Sequence, residues 1–150
     1  MIALVQRVSR AHVDIAGQTV GAIGIGLLVL VCAEPADDDA IADRLVAKLL
    51  KLRIFADEAG KMNRSLQDVA GGLLVVSQFT LAADVSGGNR PSFTGAAGAG
   101  QGERLYERVL ARARAAHPDV ACGRFGADMQ VHLVNDGPVT IPLRMAPPAG

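Results

Sequence analysis

Gly24-Ile25-Gly26-Leu27-Leu28-Val29-Leu30-Val31-Cys32 is the stretch that decides the fold. From Leu27 onward every residue is apolar, so a strand there has no face to offer to water. Such a strand lies inside a sheet, with neighbours on both edges and layers on both faces. The apolar run from Ile23 to Ala33 is 11 residues long and carries two glycines. A bilayer span needs about 20 residues, so the run belongs to a core and not to a membrane.

Working outward, the segment before it alternates. Ile2, Leu4, Val8 and Val13 stand among Gln6, Arg7, Ser9, Arg10 and His12, which predicts a long strand over residues 2–15. Ala16-Gly17-Gln18 reads as a turn, and residues 19–22 as a short strand. After the apolar run, Pro35-Ala36-Asp37-Asp38-Asp39 is a helix start: an acidic cap with negative charge where the helix dipole favours it. Ile41, Leu45, Leu49 and Leu52 then form one dry stripe, with Arg44, Lys48 and Lys51 on the other side. Residues 57–61 read as a turn. Gly71-Gly72 introduces a second buried strand, Leu73-Leu74-Val75-Val76, which runs into Ser77-Gln78-Phe79-Thr80-Leu81.

Residues 82–102 are rich in glycine and read as one long irregular loop, a kind of segment that is usually functional when it occurs inside a compact fold. Residues 103–116 read as a second helix, with Leu105, Val109 and Ala113 inward and Pro118 past its end. Strands are expected at 120–122, 129–134 and 139–143, with Asn135-Asp136-Gly137-Pro138 as a turn between the last two and a frayed tail at 146–150. The sum is α+β: a small, barrel-like antiparallel or mixed sheet with two main flanking helices, in a single domain over residues 1–150.

Charge narrows the function. Fifteen Lys and Arg balance fifteen Asp and Glu among 150 residues. Binding nucleic acid by bulk charge means neutralising many phosphates, so only a local basic patch is open to this chain. Cys32 and Cys122 are too far apart in sequence for a disulfide framework or a zinc set, and read as buried thiols of a reducing compartment. Arg7 and Arg10 interrupt any secretory leader, so the expected location is the cytoplasm. His12, His117 and His132 stand in no triad pattern, and no HExxH or phosphate-binding loop is present. Glycines 21, 24 and 26 lie between two strands instead of opening a helix, so a dinucleotide reading fails.

Two segments carry more. Ser77-Gln78-Phe79-Thr80 places hydroxyl and amide groups where an apolar strand ends, a place from which N–H and O–H groups can point at a ligand. Ordinary turn hydrogen bonding explains the same residues equally well. Asn135-Asp136-Gly137-Pro138-Val139-Thr140 is a turn by default. It is also a place for a cis peptide, since an X–Pro bond costs only about 0.5–1 kcal/mol to hold cis.

Together these two segments resemble the signature motifs of the D-aminoacyl-tRNA deacylases. Val5-Gln6-Arg7-Val8, Leu52-Arg53-Ile54-Phe55, Gly60-Lys61-Met62-Asn63, Gly88-Asn89-Arg90-Pro91-Ser92-Phe93 and Leu105-Tyr106-Glu107 are similar to stretches of that family in the same order. The resemblance implies a cytoplasmic homodimeric hydrolase that cleaves the ester of D-aminoacyl-tRNA, and of glycyl-tRNA; no cofactor is expected, and the residues show no metal site in sequence. It implies catalytic groups at Ser77, Gln78, Phe79 and Thr80. It also implies a cis Gly137-Pro138 bond that rejects L-amino acids from across the dimer interface. Phe125, Arg7 and Arg90 are candidates for contact with tRNA or its terminal adenine. Arg104, Arg108 and Arg112 form a basic stripe, read either as a phosphate surface or as a solvated face balanced by Glu103 and Glu107; Lys48, Lys51, Lys61 and Arg64 are further phosphate candidates. The expected partners are aminoacyl-tRNA and a second copy, with no membrane and no DNA. The rival readings are a non-catalytic RNA-binding module and an esterase using Ser77 or Cys32.

Overall fold

The computed structural model describes residues 1–147. Its elements are β1 (Ile2–Ile15), β2 (Gln18–Ile23), β3 (Gly26–Cys32), α1 (Asp39–Lys51), β4 (Phe55–Ala56), β5 (Met62–Arg64), α2 (Leu66–Val69), β6 (Gly72–Ser77), a 3₁₀ turn (Phe79–Ala82), α3 (Ala99–Ala116), β7 (Val120–Cys122) and β8 (Gln130–Arg144). The main sheet runs β2-β1-β3-β6-β7, with β8 along the remaining edge of β1. β3, β6 and β7 are parallel to one another, while β1 is antiparallel to β2, β3 and β8. The sheet is therefore mixed, and it curls. β2 returns so close to β7 that a Cβ on Gly21 would lie 2.5 Å from the Cys122 carbonyl oxygen, which nearly closes a barrel.

β3 shows why its sequence is apolar on both faces. Leu27, Val29 and Val31 pack outward under α1 and α3 together with Leu45, Leu49, Leu105 and Val109. Leu28 points the other way, into the curl, with Val8, Val13, Leu74 and Val76. Each side chain of this kind contributes about 1.5–3 kcal/mol on full burial, so a polar residue at either parity would be costly. α1 begins as expected: Asp38 caps it by accepting from the Ile41 N–H at 3.0 Å.

Three expectations need correction. α3 starts at Ala99, not at residue 103. Gly100 and Gly102 are weak helix formers, but tertiary anchors override them: Ala97 N–H donates to the Ala33 carbonyl, and Gln101 Nε2 donates to the carbonyls of Pro35 and Asp37. The irregular loop shortens accordingly, and inside it Asp84 and Ser92 bridge each other. Residues 135–138 are not a turn between two strands. β8 runs through them as one strand on β1, with a bulge. Gln6 pairs with Thr140 and Val8 with Asn135, so Asp136, Gly137, Pro138 and Val139 all stand opposite Arg7 alone. Finally, the β4–β5 hairpin, which encloses the 57–61 turn, and the single turn of α2 after it, opened by a Ser65–Asp68 capping box, were not expected. Of the tail expected to fray, Ala146 and Pro147 have no regular structure and residues 148–150 lie outside the described residues.

Candidate active site at the end of β6

β6 ends at Ser77, level with Val31 of β3. The chain leaves the sheet at Gln78, whose N–H donates to the Val31 carbonyl at 2.8 Å, and tightens at once into the 3₁₀ turn. The first N–H groups of such a turn have no partner within it, and no side chain caps this one. The N–H groups of Phe79 and Thr80 are thus left without a hydrogen-bond partner among the described residues. Gln78 Nε2 donates to Thr80 Oγ1, which fixes both side chains on the same side of the turn. The Phe79 ring is 56% exposed, high for an aromatic side chain, and meets Phe93 edge-on at 5.1 Å between centroids.

A cleft of about 540 Å³ opens here, lined among others by Ser77, Gln78, Phe79, Phe93, Phe125 and Met129. Phe125 has two roles: it tilts against Tyr106, 6.1 Å away, as part of the core, and presents its other side to the cleft. Cys32 lies beneath, its thiol directed to the Phe79 carbonyl, and burial pushes its pKa up. A thiol held protonated is a poor nucleophile. Among the described residues no histidine hydrogen-bonds a serine, threonine or cysteine; His117 is buried against the Gly71 carbonyl at 2.6 Å. The geometry therefore offers donors and a dry wall, with no nucleophile–base pair.

The strand end is braced from behind. The Met1 ammonium, fully buried, donates to Glu34, Asp37 and the Met145 carbonyl at 2.7–3.0 Å. Arg144 grips Glu34 with both Nε and a terminal nitrogen. Burial opposes the Glu34 charge, but Arg144 and the ammonium outweigh it and hold its carboxyl below the ordinary value.

The second segment is built differently. The Gly137-Pro138 bond is cis, and Gly137 has φ +147°. Asn135 braces the bulge from within: its Oδ1 accepts from the Val139 N–H at 2.7 Å, and its Nδ2 donates to Thr140 Oγ1 at 2.9 Å. Arg7 braces it from β1, donating from Nε to the Asp136 carbonyl at 2.9 Å and from a terminal nitrogen to the Ile54 carbonyl at 2.7 Å. Its guanidinium is thereby engaged with the chain's own backbone, whereas Arg90 stands exposed on the 83–98 loop.

One chain does not bring the two segments together. Ser77 is level with Ala3 through Val31, whereas the bulge stands opposite Arg7, on the other side of β1. Four residue steps of about 3.3 Å and three strand spacings of about 4.8 Å separate them by roughly 20 Å along the sheet.

The basic residues also divide. Arg104 pairs with Asp39 at 2.7 Å, Arg108 grips Asp43 with two nitrogens at 2.8 and 2.9 Å, and Arg112 approaches Asp43 at 3.4 Å. The stripe is balanced by α1, not by Glu103 and Glu107, and the Arg108 hydrogen bonds hold the Asp43 carboxyl below its usual range. Arg44, Lys48, Lys51 and Arg53 instead line an open groove of about 430 Å³, and among the described residues Lys48 and Lys51 have no acidic partner. Lys61 and Arg64 are exposed on the β4–β5 hairpin. Phe93, Met129 and the groove members Arg44 and Arg53 had no separate signal as site residues; only the position of Phe93 within the Gly88–Phe93 resemblance hinted at a role.

A barrel-like mixed sheet with these two motifs defines a class first. A solved structure of a probable eukaryotic D-amino acid tRNA deacylase overlays with a TM-score of 0.81, covering 95% of this chain and 97% of its own; at 19% identity this is a likeness of fold alone. A solved structure of a c-Myc DNA unwinding element binding protein has TM-score 0.92 and 43% identity, over 98% and 99% of the two chains. Sequence then gives the family. Residues 4–144 match the family described as D-Tyr-tRNA(Tyr) deacylase. Relatives named D-aminoacyl-tRNA deacylase include one from Variovorax paradoxus, 78% identical over 97% of this chain and all of its own, and one from Acidovorax, 69% identical over 99% of each. The chain belongs to this deacylase family and is a hydrolase. No helix among the described residues is long and apolar enough to cross a membrane.

Proposed function

We propose that residues 1–150 form one deacylase domain that acts in the cytoplasm as a homodimer, hydrolysing D-aminoacyl-tRNA and glycyl-tRNA and sparing L-aminoacyl-tRNA. The observation that carries this reading is the pairing of an uncapped donor turn at Phe79 and Thr80 with a stiff backbone bulge at Gly137 and Pro138 some 20 Å away along the sheet. Each half is incomplete alone, and a second copy supplies the missing half to each site. The exposure of Phe79 and Val85, 56% and 65%, supports a covered surface beside the turn.

In this reading the ester carbonyl sits over the 3₁₀ turn. Water adds to the carbonyl carbon, and the developing oxyanion is met by the N–H groups of Phe79 and Thr80 and the Thr80 hydroxyl, with Ser77 and Gln78 fixing the ester. The vicinal 2′-hydroxyl of the terminal ribose relays the proton from water to the leaving 3′-oxygen. The C–O bond to that oxygen then breaks, releasing amino acid and tRNA. The substrate is a reactive ester, so orientation and oxyanion donors suffice without an acid–base pair. Phe125 stacks on the terminal adenine. The carbonyls of Gly137 and Pro138 from the second copy hold the α-amino group, so an L side chain collides with backbone while a D side chain points to solvent. Glycine has no side chain to be screened. Lys48 and Lys51, with Arg90, meet tRNA phosphates, which makes affinity salt-sensitive, and DNA is no partner.

The test is deacylation of D-tyrosyl-, L-tyrosyl- and glycyl-tRNA by the purified chain, with its mass measured by sedimentation. Turnover of the D and glycyl esters by a dimer, with the L ester intact, is expected. Binding of all three without turnover would leave an RNA-binding module instead, and equal D and L rates would remove the handedness reading.

A further inference from the structure

β1 and β8 bring three ligand-type side chains together at a place the deacylase reading does not use. In the β1–β8 ladder His12 pairs directly with His132, and Asp14 lies two residues from His12, on the same face. The two imidazoles stack with centroids 4.3 Å apart and planes 6° from parallel. Both turn Nε2 toward one oxygen of Asp14: His12 Nε2 is 3.5 Å and His132 Nε2 3.4 Å from Asp14 Oδ2. All three ligand atoms lie within 4.8 Å of one another.

We propose that His12, Asp14 and His132 form a binding site for one borderline divalent transition cation, zinc above all. The separations carry the argument. Four ligands about 2.1 Å from a tetrahedral zinc are about 3.4 Å from each other, so the two nitrogen–oxygen distances match two edges of that figure, and the parallel rings turn about their Cβ–Cγ bonds to bring both Nε2 lone pairs onto one cation. As N–H···O hydrogen bonds the same distances are long. Two imidazole nitrogens and one carboxylate oxygen are a donor set for zinc, nickel or copper, whereas magnesium and calcium take oxygen almost throughout. Asp14 is aimed by its second oxygen: Thr19 Oγ1 donates to Oδ1 at 2.6 Å, which leaves Oδ2 to the imidazoles. Ligands held from behind in this way typify built metal sites, and removing the support usually costs about 10–100-fold in affinity. The side chains of His12 and His132 are 40% and 53% exposed, so the cation has a way in and water completes its shell.

His132 points to the opposite face of β8 from Val131, which packs inside the curl beside Val13 and borders the active-site cleft. A cation there pins the first half of β8 to β1 and steadies the wall that carries Met129 and Val131. This role is independent of whether the cleft deacylates tRNA.

Titrating zinc chloride into chelator-stripped protein by calorimetry tests the proposal, alongside cobalt(II) absorption. One zinc per chain is expected, with visible cobalt bands and no thiolate charge-transfer band, together with a higher melting temperature in zinc. His132→Ala and Asp14→Asn are each expected to weaken zinc by about 100-fold or more, and Thr19→Val by about 10–100-fold. Cys122→Ser is expected to bind as the unchanged chain does. Circular dichroism shows whether each variant is folded; His12→Gln replaces any that is not. Zinc binding that survives His132→Ala, a thiolate band on cobalt, or no heat of binding at all would overturn the site.

Discussion

The end of β6 and the bulge of β8 are both polar interruptions of apolar strands, yet they are built to opposite plans. At residues 79–80 the backbone donors are left without partners, and the side chains around them are an exposed ring, a hydroxyl and an amide. At residues 135–140 side chains from the bulge itself and from β1 tie the backbone down, through Asn135 and Arg7. The first region has hydrogen-bonding capacity to spare for a ligand. The second has spent its capacity on shape. In the proposed reading, the chemistry falls to the free end and the selection to the stiff one.

The largest effect is expected where stiffness is attacked directly. Gly137→Ala puts a Cβ 2.8 Å from Val139 Cγ2 and 2.9 Å from the Val139 nitrogen, at a φ of +147° that L side chains rarely adopt. Displacing the bulge by an ångström is expected to lower D-tyrosyl-tRNA turnover by about 100-fold or more. Unchanged turnover would show that the bulge does not face substrate.

Arg7→Ala comes next. It removes the hydrogen bonds to the Asp136 and Ile54 carbonyls while leaving the 3₁₀ turn intact. The expected result is a narrowed ratio of D to L turnover, by about tenfold to thirtyfold, or about 1.4–2 kcal/mol of selectivity. A fall in both rates with the ratio preserved would move Arg7 from selection to folding.

Thr80→Ala tests the free end. If the hydroxyl is one donor among several, kcat is expected to fall by about tenfold, less than the 10²–10³ typical of losing a sole oxyanion donor. Quenched-flow trapping of an acyl-enzyme in the unmodified chain would make Thr80 a nucleophile instead.

The smallest effect is one of pH. Glu34, held below the ordinary carboxylate value of 4.5, lends stability that is fully present above that value and is lost as pH falls through its lower folded one. Because Glu34 braces the strand end while Asn135 and Arg7 hold the bulge mainly through backbone groups, protection of the amides at residues 31–34 and 76–78, corrected for the intrinsic slowing of exchange in acid, is expected to fall before protection at 135–140. Simultaneous opening would erase the distinction between the two regions.

Much of this was legible in the residues. The run from Leu27 to Cys32 announced a central strand because neither parity had a polar residue, and Asp38 with the Ile41, Leu45, Leu49 stripe announced α1. The start of α3 was not legible, because Gly100 and Gly102 argue locally against a helix and the anchors that override them come from residues 33–37. The balancing of Arg104, Arg108 and Arg112 was misassigned for a similar reason: Asp39 and Asp43 lie on another helix, and sequence spacing along α3 shows only Glu103 and Glu107. At the site, Ser77 to Thr80 could be singled out by their place after an apolar strand, but their chemistry came from resemblance, and Met129 gave no sign of lining the cleft.

The sequence by itself determined which segments are buried on one face and which on two, since hydrophobic pattern is a local property read at fixed period. The tertiary structure alone decided that four residues of β8 stand against one of β1 and that His12 meets His132. It also separated the 3₁₀ turn from the bulge by the width of the sheet. Register between strands far apart in the chain is set by the closing of the whole sheet, and no local pattern encodes it.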